Sequence, residues 1–230
     1  MKVLGLIPAR GGSKGVPRKN LADVGGRPLI AFSIETGLAA QRIDRLIVST
    51  DDDEIAEVAR GLGADVPFVR PTDLADDVAP MLGVAQHALQ ALANDGDMFD
   101  AVCLLQPTSP LRPPELVDGC IGLLESKSAT SVVTVRSIPP EFNPAWAISI
   151  DGEGYASWFG GGRDPIGRRQ DLPPAFHRDG LVYVARSSTV LEGSLYGEVV
   201  VPAVADSVPL CNVDTTEDLE KLRSIVGDSR

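Results

Sequence analysis

The chain has 230 residues, of which 43% are hydrophobic and 23% are charged, and its formal net charge is −11. This composition is typical of a soluble globular protein, and the length suits one large α/β domain with an insertion. The acidic balance argues against a nucleic-acid-binding protein. No apolar run approaches the roughly 20 residues that a membrane helix needs, and the first apolar run is too short for a signal peptide.

The first predicted strand leads directly into a glycine-rich, basic loop. Residues 3–7 form an apolar run of strand length, and Pro8 follows it. The cations of the loop are Arg10, Lys14, Arg18 and Lys19, and its glycines are Gly11, Gly12 and Gly15. Because backbone N–H groups and cations at the end of a buried strand can bind phosphate, we interpret the loop as a phosphate site, with a solvated basic turn as the alternative. Its spacing matches neither G-x-x-x-x-G-K-[ST] nor G-x-G-x-x-G.

The charge is unevenly distributed along the chain. Residues 1–30 carry six cations and one anion, although the chain as a whole has a net charge of −11. A positive region on an acidic body attracts small anionic ligands. We therefore expect a small anionic ligand near the opening loop.

Strand-like and helix-like segments alternate from residue 3 to residue 135. The predicted strands are residues 3–7, 45–50, 66–69, 101–105, 131–135, 180–185 and 210–214. The predicted helices are residues 28–40, 54–62, 80–94, 115–125 and 215–226. This alternation predicts an α/β fold with a mostly parallel sheet covered on both faces. Ligands in such folds bind at the carboxyl ends of the strands, where the opening loop, Asp51, Arg70 and Gln106 fall.

The alternation breaks between residues 138 and 176. This stretch is rich in proline, glycine and aromatic residues, and it contains both tryptophans, Trp146 and Trp158. It is too long for an ordinary loop, so we predict an inserted arm or β-hairpin between core segments 1–137 and 177–230. Exposed aromatic residues there would suit a contact with another subunit. Its basic end, with Arg163, Arg168, Arg169 and Arg178, is a second cationic cluster.

Three cysteines, Cys103, Cys120 and Cys211, show no metal-ligand spacing. Their odd number indicates free thiols rather than a disulfide framework. We expect a cytoplasmic protein in which they are small core residues.

Several motifs occur in a recognisable order along most of the chain. They are Ile7–Leu21, Ile47–Asp51, Arg70-Pro71, Leu105–Arg112, Gln170–Phe176 and Asp214–Asp218. Together they resemble the acylneuraminate cytidylyltransferases, the CMP–sialic acid synthetases. The resemblance implies a Rossmann-like nucleotidyltransferase fold with an inserted dimerisation arm, and hence a homodimer.

The activity that the resemblance implies is transfer of CMP from CTP to the anomeric hydroxyl of a nine-carbon 2-keto sugar acid, with release of pyrophosphate. Such a transfer depends on positioning and charge stabilisation, so Mg²⁺ is the expected cofactor. The expected partners are CTP and the sugar acid, with no nucleic acid and no membrane. The alternatives are an eight-carbon 2-keto-3-deoxy acid as acceptor, or a relative that binds nucleotide without catalysis.

The resemblance also implies residue roles. The catalytic residues would be Arg10, Lys19 and Asp214. The nucleotide contacts would be Ala9, Arg10, Gly11, Ser13, Lys19, Asn20, Arg70 and Ala79, with Arg70 reading the cytosine. Lys14 and Arg18 are either further contacts or flanking charge. The sugar-acid contacts would be Gln106, Ser109, Arg169, Asp179 and Tyr183, with Arg169 on the carboxylate.

The chain departs from the family at the expected metal site. Family members usually have Asp-x-Asp there, whereas this chain has Asn212-Val213-Asp214. Asp214 is the better ligand, because Asn212 offers only a neutral carbonyl oxygen. Trp146 and His177 also replace residues that some members use near the sugar, which leaves the identity of the sugar open.

Some residues have simpler interpretations than catalysis. Asp51, Asp52 and Asp53 precede a predicted helix, where acids cap the helix and complement its dipole, so we favour a cap over a metal site. His87 is predicted to be structural. His177 is a candidate base near the sugar.

Overall fold

The structure is a computed structural model, and it describes residues 1–76, 80–159, 161 and 164–227. Its strands are β1 (Val3–Pro8), β2 (Asp23–Val24), β3 (Arg27–Pro28), β4 (Arg45–Ser49), β5 (Ala101–Leu104), β6 (Ser131–Ser137), β7 (Ile148–Ile150), β8 (Ala156–Trp158), β9 (Phe176–Arg186) and β10 (Val200–Val204). Its helices are α1 (Leu29–Ala39), α2 (Asp53–Gly61), α3 (Met81–Asn94), α4 (Pro114–Ser126), α5 (Ser187–Leu191) and α6 (Thr216–Gly227).

Among the described residues, six strands form the central sheet in the order β10-β6-β9-β5-β1-β4. Strand β1 pairs in parallel with β4 and β5, and β10 pairs in parallel with β6. Strand β9 runs antiparallel between β5 and β6. The predicted α/β fold with a mostly parallel sheet is confirmed, and β9 is the exception to the parallel order.

Strand β1 is apolar at every position because both faces of the sheet are covered. Its alternate side chains enter two separate clusters, as the two-residue period of a strand requires. Val3 and Ile7 lie in the cluster that includes residues of α1 and α4. Leu4 and Leu6 lie in the cluster that includes residues of α3. This double burial holds the end of β1, and so the start of the opening loop, inside the molecule.

Two predicted strands are wrong. Residues 66–69 contribute only one isolated bridge, between Val69 and Thr50, and a second bridge pairs the preceding Asp65 with Ile47. Pro67 has no N–H for a ladder. Residues 210–214 form no strand in the described structure. Instead they run beside the loop after β5, to which Val213 N–H donates a hydrogen bond at the Thr108 carbonyl (2.8 Å).

Residues 138–176 contain a separate two-stranded hairpin. Strands β7 and β8 pair antiparallel, with Ile148 opposite Trp158. The side chains of Ile150 and Phe159 are both 69% exposed. The base of this segment is held by Trp146, whose indole N–H donates to the Ile166 carbonyl (2.6 Å). Gly160, Gly162 and Arg163, which belong to the predicted arm, lie outside the described residues.

The three cysteines are buried and carry free thiols. Burial raises the pKa of all three thiols above the ordinary value, which keeps them protonated and unreactive. The prediction that they are core residues is confirmed: Cys103 and Cys120 lie in the main hydrophobic cluster, and Cys211 lies in a third cluster with Leu219 and Leu222. In the part of the chain that the structure describes, no helix is both long enough and apolar enough to cross a membrane.

Candidate active site

A cavity of about 480 Å³ opens where β1 and β5 end, bounded by the opening loop, the loop after β5 and residues 212–214. Nine of the predicted site residues line it: Arg10, Ser13, Lys19, Asn20, Arg70, Gln106, Ser109, Asn212 and Asp214. Lys14 lines it as well. The cavity thus brings together residues that are far apart in the sequence, as expected for a site at the carboxyl ends of parallel strands.

The opening loop is anchored through hydrogen bonds made by its backbone groups. The buried side chain of Asn20 donates from Nδ2 to the Arg10 carbonyl (2.9 Å), and Gly11 N–H donates to Asp51 Oδ1 (3.0 Å). Ala9 N–H donates to the Ser49 carbonyl (3.0 Å). Of the predicted nucleotide contacts, Ala9 and Gly11 therefore face β4 and the residues after it, and neither lines the cavity.

Lys19 links the opening loop to the C-terminal segment. Its Nζ donates to the Val213 carbonyl (2.8 Å) and lies 3.1 Å from Asp214 Oδ1. Position 15 of the opening loop must be glycine, because a Cβ there would overlap the Asp214 carbonyl oxygen. The cavity therefore places a cation and a carboxylate side by side on one wall.

Arg18 turns away from the cavity. It adopts a left-handed backbone conformation (φ 54°), and its guanidinium contacts Asp52 and Glu54. Asp52 also caps α2, accepting a hydrogen bond from Ile55 N–H (2.9 Å). Partial burial raises the pKa of Asp52, but the Ile55 N–H and Arg18 lower it by more, so the pKa lies below its ordinary value. The prediction that these acids cap a helix is confirmed for Asp52.

Arg70 is the buried cation of the cavity. Its side chain is held by Ser49, with Nε donating to Oγ (3.1 Å) and Nη2 to the carbonyl oxygen. Burial lowers the pKa of Arg70 to about 10, which nearby Asp51 partly offsets and Arg10 reinforces. The guanidinium therefore keeps its charge at neutral pH, in a fixed orientation at the cavity wall. Behind it, His87 packs edge-on against Phe68 with ring centroids 4.7 Å apart, consistent with its predicted structural role.

The loop after β5 is held in shape by Arg112, which the sequence did not single out. Arg112 is buried, donates to Ser33 Oγ (3.1 Å) and contacts the carbonyl oxygen of Gln106. The same carbonyl accepts a hydrogen bond from Ser109 N–H (3.1 Å). Burial lowers the pKa of Arg112 to about 10. The motif Leu105–Arg112 contains this arginine, but its burial and its support of the loop are visible only in the structure.

A second, more open cavity of about 520 Å³ adjoins the first along β9. Tyr183 lines this second cavity, and the two cavities share Gly180 and Asn212. Arg178 also lines it and contacts the Tyr196 hydroxyl, with its guanidinium 5.6 Å from the ring centre. Burial raises the pKa of Tyr183, so its hydroxyl stays neutral near pH 7. In the sequence, Arg178 is identifiable only as part of a cationic cluster.

Asp179 does not present its carboxylate to either cavity, contrary to its expected sugar contact. The side chain is fully buried, with Oδ1 accepting from the Thr134 hydroxyl and from Leu181 N–H (3.1 Å). Its Oδ2 lies 3.5 Å from Arg136 Nε. The carboxylate is therefore a structural anchor, and only the backbone of this residue reaches the cavity wall.

One further predicted residue, Arg169, is not brought to either cavity in the described chain. Arg169 is exposed in a single 3₁₀ turn, Arg169–Asp171, and lines neither cavity. Ala79 lies outside the described residues. His177 lines the second cavity, where its Nδ1 is 3.0 Å from the carbonyl oxygen of Arg178.

The donor set of the first cavity suits a magnesium ion that is shared with a phosphate ligand. Within the described residues, no three histidine, cysteine or acidic side chains cluster as a metal site. Mg²⁺ usually takes one or two carboxylates and completes its coordination with water and substrate phosphates. Asp214 offers such a carboxylate beside a cationic loop, so the residues present fit the ion.

Comparison with known proteins shows where this architecture recurs. The cytidylyltransferase family model matches residues 4–191. The chain is 34% identical over 221 residues to the pseudaminic acid cytidylyltransferase of Campylobacter jejuni, covering 96% of this chain and 94% of that protein. It is 34% identical over 229 residues to the CMP-N,N'-diacetyllegionaminic acid synthase of Legionella pneumophila, covering 95% of this chain and 93% of that protein. A solved structure of a CMP:2-keto-3-deoxy-manno-octonic acid synthetase complexed with CTP shares the fold, with a TM-score of 0.74 at 19% identity over 100% of both chains.

Proposed function

Since the chain belongs to the cytidylyltransferase family, we propose that it transfers CMP from CTP to the anomeric hydroxyl of a nine-carbon 2-keto sugar acid. Pyrophosphate is the second product. The observation that carries this proposal is the shared cavity of Arg10, Lys19, Arg70 and Asp214. The resemblance to acylneuraminate cytidylyltransferases inferred from the sequence is confirmed at the level of the family.

In this proposal the first cavity binds CTP. Arg10, Ser13 and Lys19 contact the triphosphate, because two cations and a hydroxyl on one loop match its charge and its acceptor oxygens. Arg70 faces the cytosine, whose keto oxygen and ring nitrogen accept hydrogen bonds from a guanidinium. The fixed orientation of Arg70 against Ser49 supports this role, since a guanidinium that is already oriented loses less entropy on binding.

The chemistry needs no covalent intermediate on the protein. The anomeric hydroxyl oxygen attacks the α-phosphorus and releases its proton to water. The bond from the α-phosphorus to the oxygen shared with the β-phosphorus breaks, and pyrophosphate leaves. Lys19 and Arg10 stabilise the negative charge that develops on the phosphate oxygens. Asp214 would hold Mg²⁺, which would supply further neutralisation of phosphate charge.

The acceptor is proposed to bind beside Gln106 and Ser109 and to extend into the second cavity near Tyr183. That cavity contains Arg178, whose guanidinium is a suitable partner for the carboxylate of a sugar acid. The nine-carbon class is favoured because the two relatives with 34% identity are named for pseudaminic and legionaminic acids. An eight-carbon 2-keto-3-deoxy acid is the alternative acceptor.

A homodimer is the second part of the proposal. The exposed hairpin of β7 and β8 carries apolar side chains that a monomer would leave in water. Arg169 lies in the same inserted segment and away from the cavities of its own chain, so it could reach a sugar acid only from a neighbouring subunit.

A pyrophosphate-release assay tests the function. Purified protein is incubated with CTP, Mg²⁺ and one acid at a time from a panel of nine-carbon and eight-carbon 2-keto acids. We expect turnover with at least one nine-carbon acid and a kcat/KM at least tenfold lower with the eight-carbon acid, a difference of about 1.4 kcal/mol. Turnover of the eight-carbon acid alone would identify the alternative acceptor, and no turnover with any acid would refute the proposed activity.

A further inference from the structure

Asn212 lies on the boundary between the two cavities and lines both of them. On one side it faces the loop after β5, and on the other it faces the turn at Gly180 on β9. An inference about this residue deepens the proposed function, because it concerns a wall of the same site.

Both ends of the Asn212 amide are used in hydrogen bonds. Its Oδ1 accepts from the hydroxyl of Ser109 (2.7 Å), and its Nδ2 donates to the backbone carbonyl of Asp179 (3.3 Å). A carbonyl oxygen can only accept, so it must face the NH₂ end of the amide. The orientation of the amide therefore follows from its partners, and the hydroxyl of Ser109 adapts to it.

The partners of this amide are themselves held rigidly. Ser109 is buried, and the Asp179 side chain is fixed by Thr134, Leu181 N–H and Arg136. Gly180 adopts a positive φ of 82°, and a Cβ there would lie 3.3 Å from Ser109 Oγ. The amide thus joins two fixed parts of the site wall.

An aspartate at this position could not make the same bridge. Its carboxylate could still accept from the Ser109 hydroxyl. Its other oxygen, however, would face the Asp179 carbonyl oxygen, with two acceptors in contact and no hydrogen between them. Leaving such a pair without a donor is unfavourable. An amide satisfies both the Ser109 hydroxyl and the Asp179 carbonyl, whereas a carboxylate would satisfy only the hydroxyl.

We propose that Asn212 is a positioning residue that ties the loop after β5 to the turn at Gly180, and that Asp214 supplies the carboxylate for the metal without help from Asn212. The bridge holds Ser109 and Gln106 in place for the acceptor. The neutral amide also avoids adding a second negative charge where an anionic sugar acid must enter.

The test compares Asn212→Asp with Asn94→Asp, a control that introduces the same charge at the exposed end of α3. Hydrogen exchange is measured in peptides covering residues 106–112 and 176–183. Mg²⁺ binding in the presence of CTP is measured by calorimetry without any acid. We expect Asn212→Asp to speed exchange in both peptides by about tenfold, and Asn94→Asp to leave exchange at the wild-type rate. We also expect Mg²⁺ affinity to stay within about threefold of wild type, because the metal ligand is unchanged.

Asn212→Ala removes both hydrogen bonds without adding charge, so it carries the test if the aspartate variant fails to fold. It should show the same faster exchange and the same Mg²⁺ affinity. Unchanged exchange in both variants would overturn the bridge. A tenfold gain in Mg²⁺ affinity and a higher kcat in Asn212→Asp would instead show that position 212 is a metal-ligand position at which asparagine binds the ion less tightly than aspartate.

The exchange and calorimetric readouts need no acceptor. If the wild-type protein turns over no acid, the proposed activity fails while the bridge is still decided. If turnover is found, Asn212→Ala should raise the KM for the acid by about tenfold and leave the KM for CTP within about threefold.

Discussion

Lys19 Nζ lies 3.1 Å from Oδ1 of Asp214, although the two residues are 195 positions apart in the chain. The lysine side chain is 14% exposed, whereas the aspartate is 71% exposed. The lysine is therefore fixed by the fold, while the carboxylate remains open to a ligand. The contact brings the first loop of the protein against the segment that precedes the last helix.

We expect Lys19→Met to lower kcat/KM by at least a hundredfold, because the Nζ charge faces the phosphate oxygens in the proposed reaction. Stability should change by less than about 1 kcal/mol, since a partly exposed ion pair contributes little. Steady-state kinetics and thermal unfolding measure the two effects. Lys2→Met is the matched control, because Lys2 pairs with Asp97 and lines neither cavity. A stable Lys19→Met variant with normal kcat/KM would show that Lys19 takes no part in catalysis.

Arg70 offers a test of nucleotide choice. Arg70→Lys keeps the charge but loses the planar fork that contacts Ser49 and faces the cavity. We expect the preference for CTP over UTP to fall by about tenfold or more, measured as the ratio of the two kcat/KM values. Arg42→Lys, a change at an exposed pair with Glu125, should leave the ratio as in wild type. An unchanged ratio in Arg70→Lys would assign base recognition to other residues.

Arg112 should matter through the shape of the loop after β5. Arg112→Lys cannot reach Ser33 and the Gln106 carbonyl together, so we expect a loss of about 1–3 kcal/mol in stability. The KM for the acid should rise more than the KM for CTP, because Gln106 and Ser109 lie on this loop. Denaturant unfolding and the two KM values check this. Equal changes in both KM values would mean that Arg112 supports the fold in general and not this loop.

Asp218 predicts how stability depends on pH. Hydrogen bonds from the Thr215 hydroxyl, Thr215 N–H and Asp214 N–H lower the pKa of this carboxyl. A depressed pKa in the folded state stabilises the protein above the unfolded-state pKa of about 3.9, and this contribution is lost as the pH falls through the folded-state value.

We therefore expect Asp218→Asn to lower the melting temperature at pH 7 and to lower it much less near pH 3. Glu217→Gln removes a charge one position away, on the same first turn of α6, and serves as the control. A destabilisation of Asp218→Asn that is equal at both pH values would contradict the assignment.

The exposed hairpin predicts the oligomeric state. Ile150→Ser together with Phe159→Ser should convert a dimer into a monomer in sedimentation velocity and reduce activity. Met98→Ser changes another side chain that is 74% exposed, away from the hairpin, and should leave the dimer intact. A wild-type protein that sediments as a monomer would contradict the dimer directly, and a fully active monomeric variant would separate the arm from the site.

The sequence alone determined the fold class and most of the cavity. Alternating apolar strands and helices predict a layered α/β sheet because both faces of a parallel sheet must be covered. The chain order then places polar residues at the carboxyl ends of the strands, which is why Arg10 and Gln106 could be assigned to one edge. Arg70 reaches the same edge, although only an isolated bridge at Val69 precedes it. Asp52 was also recognisable as a helix cap, since capping depends only on local sequence.

The tertiary structure decided which way the remaining side chains point. Asp179 and Ser109 were both expected to contact the sugar acid. Ser109 lines the first cavity, whereas the carboxylate of Asp179, on β9, is buried against Thr134 and Arg136. The role of Asn212 depends on Ser109 and on the Asp179 carbonyl, which approach it from distant parts of the chain. Burial and hydrogen bonding of this kind arise from packing between separate elements. Motifs and periodicity indicate only local structure. The role of a residue such as Arg112 is therefore visible only in the folded structure.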